Sequence, residues 1–539
     1  MEIISTQSWG QWLLVCLFLG ADPKGTSEPW TSGIDPIHGV PTVVVNGSPL
    51  LVLGAQCDIW RSTRQDDKTV AFFDGFRDMH ATAVGIGIPW SRIEAEEGDY
   101  QFAFIDWFIR HAQSRDLKLI LNLFNTNICG KVNEGSGYPQ YTPSWILDKP
   151  EQYQRMQLRT DCAYVEGGPP MCPNDPRTLE RERRLVVKVA EHLKETDACR
   201  TVIMLQINNE FYYQQWSGRR PENPKSVRCH CRWCDQKFNP DRDATGEEFM
   251  FRSFAEYLKV LTDAISQVID LPLYINSPWW DPYIIPIFLQ TCPNLDLVGI
   301  DGIFAPQEPN ILTRSQVDRN IPFASENPTE NPKTRFNLDI LPYYTVVGPM
   351  GLGNLLWECH TPHTVVDDAA ARRKYAEALY PLKNAMVPIA NARGTDRLVG
   401  WYAIRDFQPN LATDVFGNFV PADKESGIVS RTRFFIRQGR QTRVTNGARF
   451  DVTLGGVSLD IGETTAGIIV STRPGELLVA TSGAEVRIRG AGAVAAEEGV
   501  YLRQQWNRGK PLVLHKKQDT WIVEIGRLNT VRLLYDVNQ

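Results

Sequence analysis

The stretch TVIMLQINNE, residues 201–210, joins a continuous apolar run to polar residues at its end. Continuous apolar runs are typical of parallel strands that are buried on both faces of a sheet. Seven more runs have this character, and longer amphipathic stretches lie between them. They are PLLVLGAQ (49–56), AVGIGIPW (83–90), KLILNLF (118–124), PLYINSP (272–278), LDLVGID (295–301), IPFASE (321–326) and GNLLW (353–357). Eight alternations of strand and helix predict a (β/α)8 TIM barrel.

The character of the sequence changes near residue 395. From there to residue 539, short alternating segments such as RFDVTLGGVSLDI (449–461) and AEVRIRG (484–490) are separated by Gly, Asn and Arg-Pro-Gly. Alternation of this kind predicts an antiparallel β-sandwich. We therefore predict a leader or signal-like lead-in over residues 1–40, a TIM-barrel catalytic domain over 41–394 and a C-terminal β-sandwich over 395–539.

Composition limits the class of protein. The 539 residues are enough for two or three domains, and 42% hydrophobic with 22% charged residues excludes global disorder. A net charge of −6 argues against a nucleic-acid partner, because such a partner requires a basic surface. The 15 Trp residues supply apolar faces on which sugars can pack.

The longest apolar run, WLLVCLFLG (12–20), is too short to cross a bilayer, so no membrane span is predicted. Its length suits the apolar part of a secretory signal that ends near Ala21. The run is preceded by Glu2 and by no Lys or Arg, which is not typical of such a signal. A signal segment and a buried N-terminal segment both remain open, and the first favours a secreted over a cytoplasmic protein.

Two glutamates end strands of the predicted barrel. Glu210 closes the fourth run after Asn208 and Asn209, and Glu326 closes the seventh run after Ser325. TIM barrels carry their chemistry at the carboxyl ends of the strands, and two carboxylates that face each other there are the apparatus of glycoside hydrolysis. Glu326 follows Glu210 by 116 residues, about 39 for each of three βα units, which is normal for this fold. The sequence therefore predicts Glu210 and Glu326 as the catalytic pair.

Such a pair can work in two geometries. A retaining enzyme holds its carboxylates about 5–5.5 Å apart and an inverting enzyme about 6.5–9.5 Å apart, and the spacing in the chain leaves both open. Glu330 and Glu358 are rivals, the first between two Asn-Pro breaks and the second at the end of the eighth run. Asn209 can donate a hydrogen bond to a sugar 2-hydroxyl, a contact that strengthens in the transition state.

Polar and aromatic residues at the strand ends are the candidates for substrate binding. Aromatic rings stack on the C–H faces of sugars, whereas sugar hydroxyls need polar partners. Packing between loops is the alternative role for the aromatic members. The candidates are Asn209, Trp90, Asn125, Asn276, Tyr283 and Trp357.

The segment CHCRWC (229–234) places three thiols at a spacing that can converge on one tetrahedral ion. These thiols belong to Cys229, Cys231 and Cys234. A fourth ligand would come from Cys172, or alternatively from Cys162 or His230. Four thiolates leave no open position, so we predict a structural zinc and no cofactor for catalysis. Disulfides, such as Cys162 with Cys172, or free buried thiols are the alternatives.

Several segments resemble those of one group of enzymes. WSRIEAEEGDYQFAFIDWFIRHAQSRDLKLIL (90–121), TPSWILDKPEQ (142–152), LQINNE (205–210) and IPFASE (321–326) follow one another in the barrel, and AGIIVSTRPGELLVATSGAEVRIRG (466–490) lies in the β-domain. Together they resemble retaining (β/α)8 glycosidases, in particular the β-galactosidases of glycoside hydrolase families 35 and 42. Family 42 also has a similar arrangement of cysteines.

The resemblance implies that Glu210 is the general acid/base and Glu326 the nucleophile, with a covalent glycosyl-enzyme between two steps. It implies a retaining, exo-acting β-galactosidase-like enzyme of carbohydrate metabolism, and it leaves oligomerisation open. The Asn-Asn-Glu of residues 208–210 replaces the Glu-Asn-Glu that is common in family 35, which leaves the sugar open. A β-glucosidase, a β-galactofuranosidase, an endo-glycanase and a catalytically silent carbohydrate-binding protein are the alternatives.

Overall fold

A small antiparallel sheet precedes the barrel in the computed structural model. It consists of β1 (Ser32–Ile37), β2 (Val40–Val45) and β3 (Ser48–Leu50). The structure describes residues 31–57, 65–126, 140–157, 170–209, 228–277, 284–300, 316–328, 341–347, 353–358, 369–407, 411–413, 419–421, 428–437, 440–444, 450–462, 466–502, 505–527 and 529–537.

This sheet packs against the first residues of the barrel strands. Val43 and Val45 share a buried cluster with Val52, Ile203 and Leu297, and the sheet thereby covers the amino-terminal end of the barrel. The sheet begins at residue 32, so it crosses the boundary predicted between lead-in and barrel.

Eight parallel strands form the second sheet. Each of them overlaps one of the predicted runs. They are β4 (Val52–Cys57), β5 (Ala83–Pro89), β6 (Lys118–Phe124), β7 (Val202–Asn209), β8 (Leu273–Ser277), β9 (Leu297–Ile300), β10 (Ala324–Pro328) and β11 (Gly353–Glu358). Their order in the sheet is β10-β11-β4-β5-β6-β7-β8-β9.

The two outer strands, β9 and β10, approach each other closely. A Cβ atom built on Gly299 of β9 would lie 2.5 Å from Ser325 Oγ of β10. Within the described residues, no backbone pairing joins these two strands. The sheet is therefore curled into a TIM-like domain, and the predicted complete closure is not present in the part of the chain that the structure describes.

Helices surround this sheet, and several begin at residues that favour helix starts. Asp66 and Thr245 cap the first and seventh, and Asp175 caps the fifth, whose first residue is Pro176. The helices are α1 (Asp67–Asp78), α2 (Trp90–Ile93), α3 (Ala103–Gln113), α4 (Ser144–Leu147), α5 (Pro176–Thr196), α6 (Arg232–Lys237), α7 (Gly246–Ser266), α8 (Ile284–Thr291), α9 (Leu341–Val347), α10 (Ala369–Asn384) and α11 (Met386–Ala392). Among the described helices, none has the length and apolar character needed to span a membrane.

The region after residue 395 is antiparallel, as its alternating pattern predicts. Its strands are β12 (Leu398–Phe407), β13 (Leu411–Thr413), β14 (Phe419–Pro421), β15 (Ile428–Arg437), β16 (Arg440–Val444), β17 (Phe450–Leu454), β18 (Val457–Ile461), β19 (Ala466–Arg473), β20 (Glu476–Thr481), β21 (Ala484–Arg489), β22 (Ala491–Leu502), β23 (Gln505–Pro511), β24 (Leu514–Lys517), β25 (Thr520–Ile525) and β26 (Asn529–Val537).

Two main sheets are built from these strands. One has the order β16-β15-β12-β19-β20-β26-β22-β23 and the other β17-β18-β21-β25-β24, while β13 and β14 pair with each other. Residues of both sheets, including Val399, Val479, Leu459 and Val523, belong to one core cluster. The opposite face of the larger sheet joins the core of the barrel domain.

Candidate active site

Parallel strands bring their carboxyl ends to one edge of the sheet, and some of the predicted site residues lie at these strand ends. Asn209 is the last residue of β7 and pairs with Asn276 of β8. Glu326 and Trp357 lie in β10 and β11, where the structure describes their backbone. Glu210 and Tyr283 lie outside the described residues, as do Cys162 and Glu330.

A chain of buried polar side chains connects these strand ends. Gln206 Nε2 donates to Asn209 Oδ1 at 2.8 Å, and Asn276 Nδ2 donates to the same oxygen at 3.3 Å. Ser325 Oγ donates to Asn276 Oδ1 at 2.7 Å. Asn209 and Ser325 precede the two predicted catalytic glutamates, so one chain of hydrogen bonds joins their immediate neighbours. The two donors at Asn209 Oδ1 also fix the orientation of that amide, which leaves its NH2 group as the donor.

Glycine is required opposite Ser325. The built Cβ of Gly299 would come within 2.8 Å of the Ser325 Cβ and 3.3 Å of the Ile275 carbonyl oxygen, as well as 2.5 Å of the Ser325 hydroxyl. Contacts this short cannot be tolerated in a close-packed interior. The absence of a side chain at residue 299 therefore lets Ser325 reach Asn276.

A second buried network lies behind the end of β7. Tyr257 of α7 donates a hydrogen bond to Glu182 Oε1 of α5. Asn208 Nδ2 donates to the Tyr257 hydroxyl at 3.1 Å, and the backbone N–H of Asn209 donates to Asn208 Oδ1 at 2.8 Å. Glu182, Tyr257 and Asn208 are all buried. The network therefore runs from the helical layer to the residue that ends β7.

The electrostatics of this network are unusual. Burial raises the pKa of Glu182 to about 7, although hydrogen bonds from Tyr257, Asn125 and Thr126 act in the opposite direction. The pKa of Tyr257 is raised well above its usual value, first by burial and then by the neighbouring Glu182 charge. No cation pairs with Glu182 among the described residues, so a carboxyl group that changes charge near neutrality lies beside the predicted site.

Two other predicted binding residues face inward. Trp90 is fully buried, its indole N–H donates to Glu94 Oε2 at 2.8 Å, and its ring packs edge-on against Trp145. Asn125 is also fully buried and donates through Nδ2 to the Ile207 carbonyl oxygen at 2.8 Å. Both side chains are used for contacts within the protein.

The four predicted zinc ligands come together. Cys172 Sγ lies 3.4 Å from the sulfurs of Cys231 and Cys234 and 4.0 Å from that of Cys229. All four sulfurs lie within 4.8 Å of one another and all four residues are buried free cysteines. A tetrahedral zinc with bonds of about 2.3 Å separates its sulfurs by about 3.8 Å. The donor set and its spacing therefore fit zinc.

The surroundings of the cluster suit thiolates. The backbone N–H of Gln157 donates to Cys229 Sγ at 3.3 Å, and Asn174 Nδ2 donates to Cys234 Sγ at 3.3 Å. Hydrogen bonds from the neighbouring thiols, first that of Cys172, lower the pKa of Cys231, whereas the bonds to Cys172, first that with Cys229, raise its pKa. The N–H donors at Cys229 and Cys234 suit metal-binding sulfurs, which must be thiolates.

Sequence reasoning missed Glu182, Tyr257 and Ser325. Glu182 lies within the charged run LERERR (179–184), which indicates a solvated helix face. The spacing of Glu182 indicates a buried position instead, because it lies on the same face of the helix as the buried residues Leu185, Val186 and Val189. A charged residue at an apolar position of a helix is the sign that could have found it.

Comparison with known proteins identifies one matching family. The family model of glycoside hydrolase family 42, described as β-galactosidase, matches residues 61–257. This segment includes β5, β6 and β7, the cysteine cluster and most of α7. Among curated proteins, no significant match is found.

Solved structures that align with this chain include several glycosidases. The β-galactosidase of the Antarctic haloarchaeon Halorubrum lacusprofundi is 14% identical, with a TM-score of 0.44 over 62% of this chain and 58% of that one. The β-galactosidase of Bacillus circulans sp. alkalophilus is 11% identical, with a TM-score of 0.47 over 88% and 98% of the two chains. Endo-glycoceramidase II of Rhodococcus sp. is 12% identical, with a TM-score of 0.42 over 94% and 100%.

The chain spans less than two thirds of the length of the haloarchaeal enzyme. The family match itself covers the strand that ends in Asn209 and the two helices that carry Glu182 and Tyr257. On this match, residues 61–257 are similar to β-galactosidases of glycoside hydrolase family 42.

Proposed function

We propose that the protein is a retaining, exo-acting β-glycosidase that removes terminal β-linked galactose. Glu326 is the nucleophile and Glu210 the general acid/base. The observation that carries the proposal is the hydrogen-bonded chain Asn209–Asn276–Ser325. It ties together the residues that precede the two glutamates, and a pair of carboxylates that cooperate on one glycosidic bond requires a fixed separation, about 5–5.5 Å for retention.

The reaction proceeds in two displacements. The Glu326 carboxylate attacks the anomeric carbon as the bond to the leaving oxygen breaks, and the Glu210 carboxyl gives its proton to that oxygen. The Glu210 carboxylate then takes a proton from water. The resulting hydroxide oxygen bonds to the anomeric carbon, and Glu326 departs as a carboxylate.

Asn209 assists both displacements. Its Oδ1 is held by Gln206 and Asn276, so its NH2 group is the side available to the sugar 2-hydroxyl. That contact strengthens as positive charge develops at the neighbouring anomeric carbon. Trp90, Asn125 and Asn276 are already bonded within the protein, and in this proposal they support the site rather than touch the sugar.

The same proposal assigns a structural zinc to Cys172, Cys229, Cys231 and Cys234. When bound, the ion supplies a cross-link between two distant parts of the chain. The residues themselves bring the segment before α5 against the first residues of α6. The ion has a structural role in this proposal, while the chemistry belongs to the carboxylates.

A panel of 4-nitrophenyl β-glycosides tests the function, with Glu326→Gln as the matched variant. We expect turnover of the galactoside by the natural protein and its loss in the variant. The anomer released first, followed by NMR, reports the stereochemistry, and the β-anomer is expected. Release of the α-anomer would exclude retention. Silence on the whole panel, with binding of oligosaccharides, would favour an endo-acting enzyme or a silent binding protein.

A further inference from the structure

Glu182 pairs with Tyr257 on the buried face of α5, where a group that can carry charge is unfavourable. Glu182 is fully buried, and no cation pairs with it among the described residues. Burying a carboxyl group that has no charged partner costs stability. An apolar residue would pack at this position of α5 more favourably, since the neighbouring stripe positions are Leu185, Val186 and Val189.

The Glu182 carboxyl group orients the hydroxyl of Tyr257. The Tyr257 O–H donates a hydrogen bond to Glu182, so the hydroxyl oxygen is free to accept one from Asn208 Nδ2. The hydroxyl of Tyr257 also lies 3.4 Å from Thr126 Oγ1 at the end of the neighbouring strand. The two helical residues, Glu182 and Tyr257, therefore determine which groups of the network donate and which accept hydrogen bonds.

Asn208 connects the oriented Tyr257 hydroxyl to Asn209 at the end of β7. Its Nδ2 is bonded to Tyr257, so its Oδ1 points to the backbone N–H of Asn209 and accepts from it at 2.8 Å. The side chain of Asn209 is held separately by Gln206 and Asn276. The backbone and the side chain of Asn209 are therefore fixed from two directions.

We infer that Glu182 and Tyr257 are positioning residues, which act through Asn208 to aim the Asn209 amide at the 2-hydroxyl of the sugar. This inference rests on the proposed function, in which Asn209 makes that contact. Neither residue touches the substrate. Their effect should therefore appear in how strongly the enzyme uses the 2-hydroxyl, not in substrate binding as a whole.

The test compares Tyr257→Phe with Thr262→Val. Both variants remove one buried hydroxyl from α7 with little change of shape, but the Thr262 hydroxyl donates to the Lys259 carbonyl oxygen of its own helix. The substrates are 4-nitrophenyl β-galactoside and its 2-deoxy analogue. In Tyr257→Phe we expect kcat/KM to fall about tenfold for the galactoside, because a misplaced Asn209 amide loses its contact with the 2-hydroxyl. The loss should be much smaller for the 2-deoxy analogue, which has no 2-hydroxyl to contact.

Thr262→Val should leave the ratio of the two substrates unchanged. Equal losses on both substrates in Tyr257→Phe, or no loss on either, would overturn the inference. Glu182→Gln keeps an acceptor oxygen for Tyr257, so it should lower the ratio less than Glu182→Leu does.

A crystal structure of Tyr257→Phe separates this inference from the proposed function. We expect the Asn208 side chain to turn and its bond to the Asn209 N–H to lengthen. An unchanged Asn208 would overturn the inference whatever the activity. If the natural protein hydrolyses neither galactoside, the proposed function fails. The position of Asn208 in the crystal structure of Tyr257→Phe then tests the positioning role by itself.

Discussion

The Ser325 hydroxyl of β10 donates a hydrogen bond of 2.7 Å to the side-chain oxygen of Asn276 in β8. The bond passes over β9, which lies between these strands and presents Gly299 at the crossing point. The contact therefore depends on three strands at once, and each can be changed separately.

Ser325→Ala removes the donor and leaves the backbone unchanged. We expect kcat/KM for the β-galactoside to fall about fivefold, which corresponds to the net value of one hydrogen bond, about 1 kcal/mol. Ser482→Ala is the matched control, since it removes a buried hydroxyl in the β-domain that donates to the Ala466 carbonyl oxygen. Similar activity in both variants would show that the bond to Asn276 does not affect catalysis.

Gly299→Ala places a methyl group where the Ser325 hydroxyl now lies. We expect the free energy of unfolding to fall by about 1–3 kcal/mol, the usual cost of an overpacked interior, and activity to fall with it because Ser325 is displaced. Gly33→Ala is the control, since a Cβ at residue 33 would meet nothing within 4 Å. Urea unfolding and turnover of the galactoside are the measurements. An active, fully stable Gly299→Ala protein would contradict the crowded crossing.

Glu210→Ala should separate substrates by their leaving groups. A nitrophenolate needs little protonation to leave, so the first displacement is spared with this group and lost with an alkyl leaving group. We expect at least a hundredfold larger loss of kcat/KM for the alkyl galactoside. Uniform losses on both substrates would argue against an acid/base role for Glu210.

Cys231→Ser tests the metal cluster. We expect the purified natural protein to hold one zinc per chain by elemental analysis, and the variant to lose the metal and melt several degrees lower. Cys292→Ser is the control, because Cys292 is a buried free cysteine outside the cluster that donates to the Ala255 carbonyl oxygen. If the natural protein holds no metal and melts at the same temperature as Cys231→Ser, the structural zinc is excluded.

Glu182→Gln should change how stability depends on pH. Burial raises the pKa of Glu182 from 4.5 to about 7, so the folded state binds the proton more tightly than the unfolded state. The group's contribution to stability is complete below pH 4.5 and is lost as the pH rises through 7.

The variant lacks this dependence. The difference in unfolding free energy between natural protein and variant should therefore shift by about 3 kcal/mol in favour of the variant between pH 4 and pH 8. Chemical unfolding across this range measures it. Parallel stability curves for the two proteins would show that the pKa of Glu182 is the same in the folded and unfolded states.

The barrel strands were predictable because their burial on both faces leaves an unbroken apolar run. TVIMLQINNE contains β7, and the residues at its end lie where the fold places chemistry. The sheet of β1, β2 and β3 was not predicted. Its Val43 and Val45 are buried against the barrel, but His38-Gly39 and Asn46-Gly47 turns surround them and read as a lead-in.

The polar networks could not be read from the chain. Tyr257 looks like one more apolar position of α7, and its partner Glu182 lies 75 residues away. Contacts of this kind depend on how two helices pack, which local pattern does not specify. The cysteine cluster was easier to predict, because three of its four cysteines lie within six residues of one another.

The larger sheet of the β-domain is apolar on both faces. Along β12, Val399 and Trp401 belong to the core shared with the smaller sheet, whereas Leu398 and Tyr402 belong to the core of the barrel domain. Most antiparallel sheets keep one face in water. Cutting this chain near residue 395 would therefore expose an apolar surface on both fragments, and the two domains should melt together in a single calorimetric transition.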